Sequence, residues 1–441
     1  MINYTNKSIA EQAKAIEENL LSPLKLLEEY FDNIRNQPHS KNIFTEVFHE
    51  IALKEAEEAE KRQKSGLRKS LLDGIPINWK DLFDIEGKAS EGGSLLLSGR
   101  VAKTTSDIVI NARKYGLVSI GKTHLSEFAF SGLGVNPKTA TPPNSTNNLK
   151  APGGSSSGAA VATALNLSSA GIGSDTGGSV RIPAAWNNLV GFKPTHGNLS
   201  LNGVLKLCPS FDTAGPITKT VQDSCYLYHI LKGEQPGDLP ECRLSEKKFL
   251  VDRSFLTEDL NPEINQSFEM CLEKIRQSGA TINETRIPEI IESTSLASTI
   301  FPYEAYNSWG KIIEDSPAEM YPPILSRFRG GLNIDYHVYL SSWKKLTNLR
   351  QSFLDKIDGF DSLLAPTCPI LPPKVKDLLE SEDYFTKSNL LALRNTRIAN
   401  LLGLTSITIP TEIKNCGLML LGKPQEDQAI LETAKLLEYL K

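Results

Sequence analysis

The chain lacks any apolar run near the roughly 18 residues that a membrane-spanning helix needs. Its opening stretch, MINYTNKSIAEQAKAIEENLL, is polar and acidic, without the apolar core of a secretory signal. Cysteine is scarce: Cys208, Cys225, Cys242, Cys271, Cys368 and Cys416 occur in 441 residues, and no two form a C-x-x-C pair. That is a poor disulfide framework for so long a chain, and it points to a reducing, cytoplasmic setting. Histidine is equally sparse. His39, His49, His124, His196, His229 and His337 form no H-x-x-x-H or similar cluster, so no metal site is expected. Basic blocks are missing too, and 48 Lys and Arg against 52 Asp and Glu leave a net charge of −4. Nucleic acid is therefore not expected as a direct ligand. Internal repeats and low-complexity segments are also absent.

What is present is an ordinary globular composition, 40% hydrophobic and 23% charged. Residues 1–65 read as helices. Ser22 and Pro23 look like an N-cap and first helical position before LKLLEEYFDNIRN, and IALKEAEEAEKRQK (51–64) reads as an exposed helix. From Asp107 the pattern turns into α/β units: IVINARKY as helix, Gly116 as its cap, LVSIG as a buried strand. AAVATAL continues as helix and SSAGIG as a short strand. Further on, KKFLVD, DSLLAPT (361–367), TSITIP (405–410) and GLMLLG (417–422) read as strands, the last returning as a hairpin. Asn261 and Pro262 start an amphipathic helix that ends near Gly279, and AILETAKLLEYL closes the chain as helix. This alternation predicts an α/β sandwich with a mixed, mostly parallel central sheet covered by helices.

The stretch APGGSSSGAAVATAL (151–165) raises the functional question. Gly/Ser composition suits a linker, but the segment runs straight into an apolar helix. A phosphate cradle lacks the G-x-x-x-x-G-K-[ST] or G-x-G-x-x-G context. Gly154 to Gly158 matches G-x-S-x-G with Ser156 at its centre, yet that nucleophile elbow needs a preceding strand, and TPPNSTNNLKAP is not one. A fourth reading joins three separated pieces. Lys80 in WKD sits among Ile75, Pro76, Ile77, Trp79 and Leu82, where burial would lower its pKa and let it act as a base; alternatively it is a lysine paired with Asp81. GGSSSG supplies serines at the mouth of a helix. DTGGS (175–179) supplies a serine on a Gly-rich turn whose backbone N–H groups can bind an oxyanion, or it is a plain tight turn.

Together these pieces resemble the amidase signature family. Lys80 in GIPINWKD, Ser155 in GGSSSG and Ser179 in SDTGGSVRIPAAWNNLVGFKPT stand 75 and 24 residues apart, as in the family. SIGKTHLSEFAFSG, PSFDTAGPI and LLGLTSITIP follow in family-like order, strongly from about Asp73 to Pro216 and more weakly to GLMLLGKPQED. The resemblance implies one large domain over 1–441: a helical part at 1–65, a catalytic core at 66–230, and 231–441 completing the sheet and the pocket. It implies a Ser–Ser–Lys triad, with Ser179 as nucleophile, Ser155 as bridge and Lys80 as neutral base. The Gly154–Ser155 peptide would be cis, and Ser156 would support by hydrogen bonding. The N–H groups of Thr176, Gly177, Gly178 and Ser179 would hold the oxyanion. Asp175 and Arg181 read as a network holding the turn, with a direct substrate role as the alternative; Asp212 reads likewise, and Trp186 as core rather than a substrate platform. No metal or organic cofactor is implied. Ser157, where GGSSGG is common, and WNN after RIPAA depart from usual versions and leave the pocket lining open. Loops within 126–145 and 290–400 are expected to build that pocket.

The implied activity is hydrolysis of a small amide to a carboxylic acid and ammonia or an amine. Alternatives are the ammonia-producing glutaminase component of the glutamyl-tRNA amidotransferase, and an amidohydrolase of the biuret or allophanate type. A membrane-anchored fatty acid amide hydrolase is disfavoured by the missing apolar span, and a non-catalytic scaffold by the intact Lys80, Ser155 and Ser179. A homodimer is the default for soluble enzymes.

Overall fold

Local capping chemistry sets the helix ends. Ser22 accepts a hydrogen bond from Lys25 N and Pro23 occupies the first helical position of Pro23–Asn36. Asn261 caps Pro262–Gln277 in the same way. His49–Ser65 ends on Gly66 in the left-handed region, and it buries one small-residue face through Ala52, Ala56 and Ala59. The starts at Pro23 and Pro262 agree with the sequence reading, whereas residues 44–47, read as helix, form a strand, and the helix read as exposed at 51–64 buries its alanine face. The helix Ser157–Ala164, buried throughout its first two turns, also agrees with that reading.

The computed structural model describes residues 3–440. Its strands are β1 (Phe44–Val47), β2 (Pro76–Lys80), β3 (Val118–Thr123), β4 (Ala170–Asp175), β5 (Val190–Lys193), β6 (Thr213–Thr218), β7 (Lys248–Asp252), β8 (Thr281–Thr285), β9 (Ser362–Pro366), β10 (Thr405–Pro410) and β11 (Gly417–Gly422). All eleven join one sheet in the order β1-β3-β2-β4-β6-β5-β10-β11-β9-β7-β8. Side chains alternate across it. Leu418 and Leu420 of β11 enter one hydrophobic cluster, while Met419 and Leu421 enter another on the opposite face. Both faces are therefore covered, as expected of an α/β sandwich.

The expectation of a mostly parallel sheet is corrected. Parallel pairing is confined to β3-β2-β4 and β9-β7-β8. The other six pairings are antiparallel. Parallel neighbours need a long crossover, whereas residues 411–416 allow only a hairpin between β10 and β11. That hairpin is the one GLMLLG suggested. A second correction concerns residues 290–400. They are mainly helical, through Ala297–Asp315, Pro322–Arg329, Tyr336–Lys356 and Glu382–Ala392.

The fold brings two strand ends together. β2 and β4 are parallel neighbours, so their C-terminal residues, Lys80 and Asp175, emerge on the same edge of the sheet. Ligand sites in α/β sheets favour such C-terminal ends.

Candidate active site

Lys80 closes β2 and is wholly buried. Its Nζ lies 2.7 Å from Ser155 Oγ and 2.8 Å from Ser174 Oγ. Burial pulls its pKa down to about 7, against the opposing charges of Asp175 and Asp212. The alternative pairing with Asp81 is not made. Asp81 instead sits 2.6 Å from Lys122. Ser174 is a contact the sequence reading missed. It precedes the DTGGS turn on β4 and faces Lys80 only because β2 and β4 run side by side.

The peptide bond between Gly154 and Ser155 is cis. Ser155 O accepts from Ser126 N, and the neighbouring Ser156 N donates to Ser179 O at 3.1 Å. This last bond fastens the GGSSSG segment to the DTGGS turn. Ser156 Oγ points elsewhere, donating to Ser174 O at 3.2 Å. Ser156 is fully buried, whereas Ser179 lines a cavity of about 260 Å³. Lys80 and Ser155 are thus in contact and Ser179 is tied to their segment. Among the described residues no hydrogen bond joins Ser155 Oγ directly to Ser179 Oγ. Catalytic hydrogen bonds are often long before substrate arrives.

The turn itself is held by Asp175 and Arg181, both fully buried. Asp175 Oδ1 accepts from Gly178 N at 2.8 Å and Oδ2 from Val180 N at 3.1 Å. Arg181 donates to both oxygens, Nε at 3.0 Å and Nη2 at 2.9 Å. Burial alone would raise the Asp175 carboxyl; the Arg181 guanidinium, Lys193 and the Asn400 amide outweigh it and hold it below the usual carboxylate range. Arg181 reaches on to Thr396 O at 2.8 Å and Asn400 Oδ1 at 2.7 Å. Thr396 Oγ1 in turn donates to Gly177 O at 2.7 Å. On the other side Thr176 Oγ1 donates to Asp212 Oδ1 at 2.6 Å, and Asp212 also accepts from Leu207 N and Cys208 N.

Of the four N–H groups expected at an oxyanion, Gly178 is the exception. Its N–H is engaged by Asp175, so it serves the turn. Glycine is required there for shape: φ is +131°, and a Cβ would lie 2.0 Å from Thr396 Oγ1. Among the described residues, the N–H groups of Thr176, Gly177 and Ser179 meet no protein acceptor. Trp186 is fully buried in the core, as expected. Among the described residues, no group of three or more His, Cys, Asp or Glu side chains is placed to hold a metal ion, and no helix is long and apolar enough to cross a membrane.

The cavity beside Ser179 lies where the sequence placed it but is built differently. Ala129, Phe130 and Ser131 come from the loop-rich segment. The facing wall is helical rather than looped, with Phe301 on Ala297–Asp315, Arg327 on Pro322–Arg329 and Arg397 on Arg397–Leu401. Neither arginine was singled out from the sequence. The available signal was a cation inside an apolar run, as in LLALRNTRIANLLGL.

Known proteins resemble the chain over most of its length. The chain is 30% identical to the A component of the glutamyl-tRNA(Gln) amidotransferase of Ruminiclostridium cellulolyticum, over 98% of this chain and 97% of that one. It is 31% identical to the 2-amino-5-chloromuconic acid deaminase of Comamonas testosteroni, over 84% of this chain and 82% of the relative. A crystal structure of an amidase superposes with a TM-score of 0.89 at 29% identity, covering 98% of this chain and 99% of that one. The fold is shared with the peptide amidase of Stenotrophomonas maltophilia (TM-score 0.83, 24% identity, 99% of this chain and 97% of that one). The profile of the amidase family matches residues 25–431. A lysine, two serines and a braced glycine turn at the sheet edge are thus set within a fold and sequence pattern that the chain shares along its length with amide-cleaving enzymes: the chain belongs to the amidase family.

Proposed function

We propose that the chain, working as one domain, hydrolyses the amide bond of a small substrate through a Ser179–Ser155–Lys80 relay. The observation that carries this reading is the wholly buried Lys80, 2.7 Å from Ser155 Oγ, behind a serine that faces a cavity. A lysine held near pKa 7 is substantially neutral at neutral pH and can take a proton. The substrate carbonyl sits at Ser179 with its oxygen toward the N–H groups of Thr176, Gly177 and Ser179. Ser179 Oγ attacks the carbonyl carbon, and its proton passes by way of Ser155 to Lys80. The tetrahedral oxyanion is stabilised by backbone donors that need no reorganisation. The relay returns the proton to the leaving nitrogen, the C–N bond breaks, and ammonia or an amine departs. Water, deprotonated by the same relay, attacks the Ser179 ester and releases the acid. These groups suffice, without a metal or organic cofactor.

The test is intact mass and peptide mapping after exposure to a serine-reactive fluorophosphonate. Labelling is expected on Ser179, retained in Ser156→Ala and lost in Ser179→Ala. A label on Ser156 would replace the relay with a nucleophile elbow.

A second reading is the glutaminase half of an amidotransferase. It is favoured by the match to an amidotransferase component over 98% of this chain. Glutamine hydrolysis that appears only on adding the partner proteins of such a complex would establish it. Activity of the chain alone, as monomer or homodimer, would favour a free-standing amidase.

A further inference from the structure

Two guanidinium groups, Arg327 and Arg397, line the cavity that Ser179 faces, and no carboxylate lines it. Among the described residues neither is ion-paired. Both are only partly exposed. Arg327 is stacked on Phe130, its charged carbon 4.4 Å from the ring centroid. Its Nε is buried without a hydrogen-bond partner. Arg397 is fixed in place by two backbone carbonyls, Nε donating to Leu393 O at 3.0 Å and Nη2 to Leu390 O at 2.9 Å. Burial pulls Arg397 down to about 9, and the charge of Arg327 adds to the effect. Burial likewise pulls Arg327 down to about 10. Both remain cationic at neutral pH, so two like charges share a partly desolvated wall.

Such a pair is costly unless an anion completes it. A guanidinium presents donors in a planar fork that matches a carboxylate. The rest of the wall is largely apolar, with Ala129, Leu207, Phe301, Pro302 and Leu393. At about 260 Å³ the space suits a small molecule. We propose that the substrate is an amide that also carries a carboxylate, a monoamide of a short dicarboxylic acid, with the carboxylate held by Arg327 and Arg397, a short apolar link along the wall, and the amide carbonyl at Ser179. The proposal rests on the amidase reading for the position of the amide; the anion site stands on the arginines.

The experiment compares glutaramic acid with pentanamide, its neutral counterpart, on wild type, Arg327→Gln, Arg397→Gln and the corresponding Lys variants. Glutarate binding to Ser179→Ala is measured by calorimetry in parallel. Wild type is expected to favour glutaramic acid in kcat/KM by at least about tenfold, the worth of one charge-assisted hydrogen bond. Either Gln variant should cut that ratio by a similar factor, mainly through KM, and abolish glutarate binding, with the Lys variants falling between. A preference for pentanamide, or a ratio that neither variant moves, overturns the proposal while leaving fluorophosphonate labelling of Ser179 intact. If Ser179 is unlabelled and neither amide is cleaved, the amidase reading fails instead. Glutarate binding that is lost in the arginine variants would still uphold the anion site, and its absence in every variant would end it.

Discussion

Lys80 Nζ and Ser155 Oγ lie 2.7 Å apart although 75 residues separate them in the chain. The contact exists because β2 ends in Lys80 and the segment before the helix Ser157–Ala164 is tied to the end of β4. Both hydrogen-bond partners of that amine are hydroxyls, and burial outweighs the opposing charges of Asp175 and Asp212 in setting its charge state.

The activity should carry that charge state as a pH limb. kcat/KM is expected to rise with pH and level off above about 7, as Lys80 sheds its proton. Lys193 is held near the same value, by burial first and by the charge of Arg181 second, but its Nζ donates to Pro194 O and not to the serines. A pH–rate profile should therefore keep its limb in Lys193→Met. Lys80→Met should lower kcat by about 10²–10⁴-fold, the usual worth of a general base.

Stability should respond with the opposite weighting. A lysine whose pKa is lower in the folded chain penalises folding fully below about 7, and the penalty fades toward the ordinary lysine value near ~10.4. The unfolded chain binds more protons across that window, so stability rises with pH there. Urea unfolding should find Lys80→Met most favourable relative to wild type at pH 6 and less so at pH 9. A gap that is constant with pH would show that Lys80 is charged in the folded chain.

Ser174 Oγ is the second hydroxyl against Lys80, at 2.8 Å. Ser174→Ala leaves the amine with one partner in a buried site, at a cost of about 1–3 kcal/mol if the freed group finds no other. The measurement that separates positioning from mere structure is the pH profile. The limb near 7 should move as well as kcat fall, and an unmoved limb would make Ser174 structural only.

Asp175 and Arg181 form a buried bidentate pair whose side chains find their partners chiefly in their own turn and in residues 396–400. Asp175→Asn should destabilise the fold by about 3–5 kcal/mol, because it leaves a buried guanidinium without its anion. Urea unfolding midpoints would check this. A loss below about 1 kcal/mol, the typical size for an ordinary substitution, would mean that water reaches the pair.

At Gly178 two obstacles to a side chain coincide, a φ of +131° and Thr396 Oγ1 at 2.0 Å from the place of a Cβ. Gly178→Ala should lower both stability and kcat. Adding Thr396→Ala removes Oγ1 but leaves the Cβ of residue 396 at 2.5 Å from that place and the backbone strain untouched, so recovery in a double-mutant cycle should be partial. Full recovery would show that the turn tolerates an L-residue.

Much of this is legible in the sequence alone. Ser22–Pro23 and Asn261–Pro262 are helix starts that can be read locally, and the lysine and serines stand at spacings that only the long joint pattern makes specific. Pairing direction is not legible in the same way. Whether β4 meets β6 antiparallel depends on how residues 194–212 turn between β5 and β6, and strand–helix alternation does not encode that. Ser174, Thr396 and Asn400 escape a sequence reading for a related reason. Each is unremarkable in its own segment and gains its role from a neighbour brought in by the sheet. Gly178 is assigned an N–H for the oxyanion from sequence because composition alone does not show that Asp175, three residues earlier, claims it.

The helix Arg397–Leu401 and the residue before it touch both halves of the site. Thr396 and Asn400 grip the glycine turn through Gly177, Asp175 and Arg181, while Arg397 faces the cavity. Any drift of this helix would therefore shift Ser179 along with the wall, and selection for a new substrate would find little freedom there. Ala297–Asp315 and Pro322–Arg329 also face the cavity, but among the described residues their hydrogen bonds do not reach the turn. Divergence should accumulate on those two helices first, because a change at residues 396–400 alters the glycine turn and the cavity wall together.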